Sequence, residues 1–343
     1  MAACFFYRRG IVKWWMANKA KNAAKLLFLC GMCAILTIAQ KRKKVGRYNN
    51  YAEVPVLVSG FAMSIACCTL AAAEDTAEAM QYTEENITID AGDHQIPATL
   101  TVPVGAEEEK FPAVVMLHGN GSTRHEAGNA YDYAALAMAK AGIATIRFDY
   151  IGNGDSTSDY IDFTYDKGVE DAMKCYEYLK TLGTIDMDHV GVMGWSQGGR
   201  LALLTAARNE VFTSVLTWAG AYDQKGNEEE QYAIAKENGY YEVTYDWREP
   251  LKQSPAYYEC AMSIDYPAEV AKIKVPLLAI NGKADTTVVP ETAQKIVDAA
   301  VNSPDAEVLL LDGADHTFCV FSNDDTVLKT LVQDTIDWFK KTL

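Results

Sequence analysis

The stretch from His189 to Arg208 constrains this chain more than any other. It reads HVGVMGWSQGGRLALLTAAR, in which a short apolar run leads into Gly194-Trp195-Ser196-Gln197-Gly198 and a run rich in Leu and Ala follows. The pattern predicts a strand that turns directly into a helix, with Ser196 at the corner. A glycine on each side of the serine fits this geometry, because a side chain there would crowd a sharp turn.

A serine at such a corner is typical of a nucleophile. The turn exposes the hydroxyl beyond the edge of the sheet, and the helix behind it presents free N–H groups to an oxyanion. The G-x-S-x-G pattern alone is weak, since average glycine usage produces it by chance in roughly one chain in ten of this length. Its position between a strand and a helix favours a nucleophilic Ser196 over a serine in a structural turn.

Strand-like and helix-like segments alternate on both sides of this stretch. A hairpin about residues 91–93 comes first, and the continuous apolar run from Phe111 to Leu117 is typical of a strand buried on both faces. Further strands are predicted at 144–148, 190–193, 214–218, 276–280 and 307–311, and helices at 131–141, 167–182, 199–208, 291–301 and 324–341. The alternation predicts an α/β fold with a doubly wound, mostly parallel sheet.

The alternation stops between Gly220 and Ile273. This segment is polar, acidic and dense in tyrosine and tryptophan. Insertions at the ligand edge of a sheet commonly carry function, and tyrosines suit a partly wet pocket because each has an apolar face and a polar tip. We therefore predict a lid over about 220–273, in which most rings pack the segment against the sheet while Tyr222 and Trp247 contact substrate.

The N-terminal part of the chain differs from the rest in charge. Residues 1–52 hold eleven Lys or Arg and no Asp or Glu, whereas the rest holds 20 Lys or Arg and 46 Asp or Glu, so the net charge of −15 divides into +11 and −26. Two apolar stretches, Leu26 to Ala39 and Val54 to Ala73, flank a basic run. The first is short for a bilayer span, whereas the second has 20 residues without a charge.

Residues 1–85 are therefore predicted to be a basic signal or anchor segment with a linker, and residues 86–343 the catalytic domain. The second apolar stretch fits a cleaved signal peptide, an uncleaved transmembrane anchor or, less well, a lipoprotein signal ending at Cys67 or Cys68. Each would place the catalytic domain outside the cell and limit membrane contact to this segment. The alternative is a start codon assigned too far upstream, so that the segment is not native and the domain is cytoplasmic.

A serine nucleophile needs a histidine base, and that base needs a carboxylate to fix its tautomer. In a doubly wound sheet the ligand-side loops follow the carboxyl ends of the strands, which leaves three of the five histidines, His118, His125 and His316. The chain order of serine, acid and histidine in this fold favours His316.

Asp285 is the candidate acid. It follows the strand predicted at 276–280 and lies between the serine and the histidine in sequence. Asp312 and Asp315 are too near His316 in sequence to face it easily from another loop. The predicted catalytic residues are therefore Ser196, Asp285 and His316.

Acyl transfer also requires two N–H donors for the developing oxyanion. One is expected from Gln197, directly after the nucleophile, and the other from the loop after the strand that ends at Leu117. We place it at Asn120, because Gly119 and Gly121 permit an unusual backbone path. His118 is expected to support that loop by hydrogen bonds rather than to transfer a proton.

No metal, cofactor or nucleic-acid site is predicted. Asp149 and Asp155 lie in one glycine-containing loop, but no third ligand is evident, so a structural loop is favoured over a metal site. The glycines do not form a phosphate-binding fingerprint, and no basic patch interleaved with aromatic residues is present. The expected partner is a small-molecule ester, and the oligomeric state is left open.

From about Ile87 to Leu343 the sequence resembles the α/β-hydrolase family. The motif at 194–199, the His118-Gly119 loop, the loop at 149–156 and the inserted segment are similar to the serine aminopeptidase-like branch, especially bacterial cinnamoyl and feruloyl esterases. The resemblance implies the same triad and oxyanion donors, and a lid that holds a phenolic acyl group. Those esterases usually have histidine where this chain has Trp195, a position that borders the acyl pocket, so Trp195 joins the candidate substrate-binding residues.

The sequence thus predicts a cofactor-independent serine esterase, a carboxylesterase that acts on short-chain or aromatic acyl esters through an acyl-enzyme. Two alternatives remain. A serine peptidase or acylaminoacyl hydrolase would use the same triad on amides, and an acidic lid would suit a free amine. A surface binding module would keep the fold without the activity.

Overall fold

A computed structural model describes residues 80–223 and 226–343. The predicted signal, anchor or lipidation segment and most of the linker after it lie outside the described residues. Within the described ranges, no helix is both long and apolar enough to cross a membrane.

Ten strands are present in the described ranges. They are β1 (Tyr82–Asp90), β2 (Gln95–Pro103), β3 (Phe111–Leu117), β4 (Ala144–Phe148), β5 (Ile185–Trp195), β6 (Ser214–Trp218), β7 (Tyr241–Val243), β8 (Leu251–Gln253), β9 (Leu277–Gly282) and β10 (Ala306–Leu311). Eight of them form one sheet in the order β1-β2-β4-β3-β5-β6-β9-β10. β1, β2 and β4 pair antiparallel, and the strands from β4 to β10 in that order are parallel. The predicted mostly parallel sheet is confirmed.

Eight α-helices connect or flank these strands in the part of the chain that the structure describes. They are α1 (Ala130–Lys140), α2 (Tyr165–Lys180), α3 (Gln197–Arg208), α4 (Glu228–Asn238), α5 (Pro255–Ser263), α6 (Tyr266–Val270), α7 (Glu291–Ala299) and α8 (Thr326–Thr342). The predicted helices outside the inserted segment all form, with ends displaced by three residues or fewer. β5 extends well beyond its predicted apolar run, and β1 begins before the predicted domain boundary at 86.

The core lies on both faces of the sheet. Along β3, Ala113, Val115 and Leu117 point into one apolar cluster, which includes residues of α2 and α3. Val114 and Met116 point into the other cluster, which includes residues of α1 and α8. Burial on both faces explains why β3 reads as a continuous apolar run rather than as an alternating one.

The chain between β6 and β9 carries α4, β7, β8, α5 and α6, and β7 pairs with β8 in a separate two-stranded sheet. Several of its aromatic rings are buried, among them Tyr257, Tyr258 and Tyr266. These rings pack the segment against the rest of the domain, as predicted for most of its aromatic residues.

Candidate active site

Ser196 lies at the turn between β5 and α3, with φ 54° and ψ −117°. The turn is so tight that neither flanking glycine has room for a side chain. A Cβ on Gly194 would lie 2.0 Å from the carbonyl oxygen of Gly198, and a Cβ on Gly198 would lie 2.0 Å from that of Leu117. The predicted strand, corner and helix are all present, and they place the serine at the carboxyl end of the central strand.

Two further loops bring a histidine and a carboxylate to Ser196. His316 follows β10, and its Nε2 lies 3.1 Å from the Ser196 Oγ. Asp285 follows β9, and its Oδ2 lies 2.8 Å from His316 Nδ1. A carboxylate only accepts hydrogen bonds, so Nδ1 carries the proton and Nε2 is left to accept one from the serine. The three predicted catalytic side chains therefore meet in the arrangement that activates a serine.

The Asp285 carboxylate is itself held in place. Only 3% of the residue is exposed, and its Oδ1 accepts the N–H groups of Thr287 and Val288 at 2.8 and 2.9 Å. One oxygen thus anchors the side chain to its own loop while the other faces His316. This division of roles orients the imidazole without using the carboxylate as a proton acceptor.

The two predicted oxyanion donors lie on either side of the serine. Gln197 is the first residue of α3, so its N–H has no acceptor within the helix. Asn120 lies in the loop after β3, and its side-chain Oδ1 accepts the Tyr160 hydroxyl at 3.2 Å. That bond fixes the side chain, and the residue borders the same cleft as Ser196 and Gln197.

Sequence reasoning missed Glu126, which forms hydrogen bonds within the loop after β3. Because this loop carries Asn120, a predicted oxyanion donor, we call it the oxyanion loop. Its carboxylate accepts the N–H of Gly119, the Ser122 hydroxyl at 2.7 Å and the N–H of Ala127 at 3.0 Å. Its backbone has φ 60° and ψ 177°, a region that is costly for any residue with a side chain. Burial raises the pKa of Glu126. The hydrogen bonds that its carboxylate accepts lower the pKa, but by less. No sequence motif marks this residue, because its role depends on a strained turn.

His118 is fully buried behind the same loop. Its Nδ1 donates to the carbonyl of Gly119 at 2.8 Å, and its Nε2 accepts the N–H of Tyr150 at 3.2 Å. One donor and one acceptor require a neutral ring, and burial lowers the pKa of His118 to about 4. His118 therefore supports the oxyanion loop by hydrogen bonds, as predicted.

This buried histidine makes stability depend on pH. Above pH 6.5 both the folded and the unfolded chain hold it neutral, whereas between pH 6.5 and 4 only the unfolded chain binds the proton. We expect His118 to lower the free energy of unfolding by about 3 kcal/mol over that interval. Denaturant unfolding at several pH values should show a flatter dependence in His118→Gln. A slope in His118→Gln equal to that of the wild type would contradict this assignment.

The loop with Asp149 and Asp155 is structural. Asp149 accepts the backbone N–H and the guanidinium of Arg124 and the N–H of Asp155, while Arg124 also pairs with Asp155 at 2.6 Å. No cluster of three or more His, Cys, Asp or Glu side chains suited to a metal occurs among the described residues. Both carboxylates are thus occupied by an arginine of the neighbouring loop.

A cleft of about 2060 Å³ opens above the serine. Two of the predicted substrate-binding residues border it from the segment after β6: Tyr222, which is 5% exposed, and Trp247, which is 63% exposed. Trp195 also borders the cleft, from the end of β5. It is 3% exposed and packs edge-on against Trp218 and Phe318, and its indole N–H donates to the His316 carbonyl at 3.1 Å. The tryptophan side chain thus also contacts the loop that carries His316.

The sheet, the serine turn and the loops around it define an α/β-hydrolase, which confirms the fold predicted from the sequence. A sequence model of the prolyl oligopeptidase family matches residues 129–343, more than half of the chain. The chain belongs to the prolyl oligopeptidase family, and its fold is of the α/β-hydrolase type.

Curated relatives match a shorter part of the chain. The 2,6-dihydropseudooxynicotine hydrolase of Paenarthrobacter nicotinovorans is 31% identical over 132 residues, which is 37% of this chain and 33% of that protein. The quorum-quenching protein AidA of Acinetobacter baumannii is 31% identical over 133 residues, 38% of this chain and 42% of AidA. The aligned parts thus span less than half of either relative.

Solved structures share the fold over most of the described domain. Est1E from Butyrivibrio proteoclasticus, solved with ferulic acid bound, has a TM-score of 0.61 and 21% identity and covers 75% of this chain and 98% of Est1E. A putative dipeptidyl aminopeptidase IV from Bacteroides ovatus has a TM-score of 0.58 and 20% identity and covers 78% of this chain and 37% of that one. At these identities the likeness concerns the fold alone.

Proposed function

We propose that this protein is a serine esterase that hydrolyses carboxylic esters through an acyl-enzyme. Ser196 attacks the ester carbonyl while His316 takes the proton from its hydroxyl, and the N–H groups of Asn120 and Gln197 bind the oxyanion. His316 then gives the proton to the leaving alcohol. A water molecule, deprotonated by His316, releases the acid and restores the serine.

The observation that carries this proposal is the continuous chain of hydrogen bonds from Asp285 through His316 to Ser196. An acyl group of short-chain or aromatic type is supported by the aromatic residues at the cleft and by the shared fold with Est1E, which was solved with ferulic acid. Since esters have a better leaving group than amides, the same triad acts on them without further assistance.

The segment between β6 and β9 is proposed to act as a lid. It contributes Tyr222, Tyr245 and Trp247 to the wall of the cleft. Arg248 ties the segment to the domain, because its Nη1 donates to the carbonyl of Gly121 in the oxyanion loop and to Asn153 Oδ1 at 2.7 Å. These contacts, which tie the segment to the loops after β3 and β4, support the proposed lid.

A peptidase is the second candidate, and family membership favours it. Glu228, Glu229 and Glu230 at the start of α4 border the cleft, where they would attract a substrate with a free amine. Amide cleavage would use the same three catalytic side chains.

The two candidates are separated by offering the full chain three substrates side by side: p-nitrophenyl butyrate, methyl ferulate and an aminoacyl anilide. We expect turnover of the esters and little turnover of the anilide, with Ser196→Ala as the background. The ratio of butyrate to ferulate turnover measures whether the lid recognises a phenolic ring. Anilide turnover without ester turnover would instead establish the peptidase, and failure of Ser196 to react with an organophosphonate probe would favour a binding module.

A further inference from the structure

Five arginines lie in the described part of the chain. Arg124, Arg147 and Arg208 form ion pairs with carboxylates. Arg200 and Arg248 form none with any carboxylate among residues 80–223 and 226–343, and both border the cleft above Ser196. The chain after residue 52 has more than twice as many acidic as basic residues. A shortage of carboxylates therefore does not explain why these two arginines lack an ion pair.

Arg200 is the more deeply buried of the two, with 8% of the residue exposed. It lies one helical turn after Ser196, since its N–H donates to the Ser196 carbonyl at 3.2 Å. Its Nε donates to the carbonyl of Ala221 at 2.6 Å, and its Nη1 donates to the Tyr165 hydroxyl at 2.7 Å. The guanidinium carbon lies 5.4 and 5.0 Å from the ring centres of Tyr165 and Tyr266.

All of these partners are neutral. Carbonyl and hydroxyl oxygens satisfy some of the N–H donors, and ring faces attract a cation, but none of them supplies a negative charge. A buried charge without a counter-ion is costly, and a guanidinium matches a carboxylate through two parallel hydrogen bonds. A carboxylate that enters the cleft would supply the missing charge where water screens the attraction weakly.

We propose that the substrate carries a carboxylate and that Arg200 binds it while the scissile ester lies at Ser196. This inference rests on the proposed serine hydrolase activity and names its substrate class, a carboxylic ester with a second, ionised carboxyl group. Tyr165 and Tyr266, which flank the Arg200 guanidinium, border the same cleft. The carboxylate belongs either to the acyl part or to the alcohol part of the ester.

The acidic rim of the cleft does not oppose this assignment. Glu229 and Glu230 are exposed, and salt at physiological strength screens such charges beyond about 8 Å. Arg200 is buried, so its attraction for an anion is screened much less. An anion at Arg200 therefore meets a weakly screened positive charge, whereas exposed rim carboxylates act on it through solvent.

Matched esters test the proposal on the full wild-type chain. Monoethyl adipate and ethyl hexanoate differ by a carboxylate on the acyl part, and carboxymethyl hexanoate carries one on the alcohol part. For one of the two anionic esters we expect kcat/KM to exceed that of ethyl hexanoate by roughly tenfold to a hundredfold, the range for a charge-assisted hydrogen bond. The preferred ester shows which part bears the carboxylate. Slower turnover of both anionic esters, or turnover equal to that of ethyl hexanoate, would overturn the proposal.

Variants separate anion binding from a structural role. Arg200→Met should remove the preference, because kcat/KM for the anionic ester falls roughly tenfold to a hundredfold more than kcat/KM for ethyl hexanoate, mainly through a higher KM. Arg208→Met, on the same helix but outside the cleft, should keep the preference. An equal loss on both esters in Arg200→Met would reduce Arg200 to a structural residue.

Two further readouts do not depend on the folding of Arg200→Met. Arg200→Lys should retain a reduced preference, and adipate should inhibit the wild-type chain competitively at constant ionic strength. Absence of both effects counts against anion binding. If the wild type hydrolyses none of the esters, the proposed function fails, whereas hydrolysis of ethyl hexanoate without an anionic preference overturns this inference alone.

Discussion

Ser196→Ala should lower kcat for ester hydrolysis by a factor on the order of 10⁶, the scale of loss when a serine hydrolase loses its nucleophile. The residual rate would come from the oxyanion donors and substrate binding, which do not depend on the hydroxyl. Stability should change little, because among the described residues the Ser196 hydroxyl bonds only to His316, and it does not cap α3. Alanine adopts the same backbone angles at the same cost.

Steady-state kinetics and thermal unfolding of the wild type and of Ser196→Ala test this pair of expectations. A titration with an organophosphonate should label the wild type once per chain and leave the variant unlabelled. Ester turnover that survives in Ser196→Ala would show that another group is the nucleophile. Turnover lost together with a large drop in the unfolding temperature would show that the hydroxyl has a structural role.

Asp285→Asn should lower kcat by about 10⁴-fold, with a much smaller effect on KM. The asparagine oxygen can still accept the hydrogen bonds from the N–H groups of Thr287 and Val288. The amide NH₂ group then takes the place of Oδ2 and faces His316. The NH₂ group donates, so Nδ1 must become the acceptor and Nε2 must carry the proton. In that tautomer the imidazole cannot accept the proton of Ser196.

Asp312→Asn is the matched control for this variant. Asp312 lies in the same loop as His316, but it is exposed and pairs with Lys283 at the surface. Its change should alter kcat less than about twofold, as expected for an exposed pair. Comparable losses in the two variants would mean that Asp285 does not orient His316.

Much of this site was predictable from the sequence, because its predicted catalytic residues lie directly after strands of the sheet. Around Ser196, the strand, the turn without room for side chains and the helix each have a recognisable sequence pattern. In a parallel sheet, the loops that follow the strands lie together at the ligand edge. Asp285 and His316 could therefore be selected by their positions after β9 and β10 and by their order in the chain.

The residues that the sequence did not identify depend on contacts between distant segments. Glu126 acts through a strained backbone that no local pattern marks, and Arg200 is distinctive only for the lack of a carboxylate partner among the described residues. Trp195 was assigned to substrate from the family resemblance, but its contacts with Phe318 and with the His316 carbonyl had no sequence signal. The direction of a side chain at a turn depends on packing that the sequence pattern does not report.

Arg248 joins the proposed lid to the loop after β3, because its Nη1 donates to the carbonyl of Gly121. If the proposed lid opens to admit a substrate, this bond breaks and the loop that carries Asn120 loses one of its anchors. In the proposed mechanism the open enzyme would then bind the oxyanion poorly, so that reaction and exchange with solvent alternate in time rather than compete.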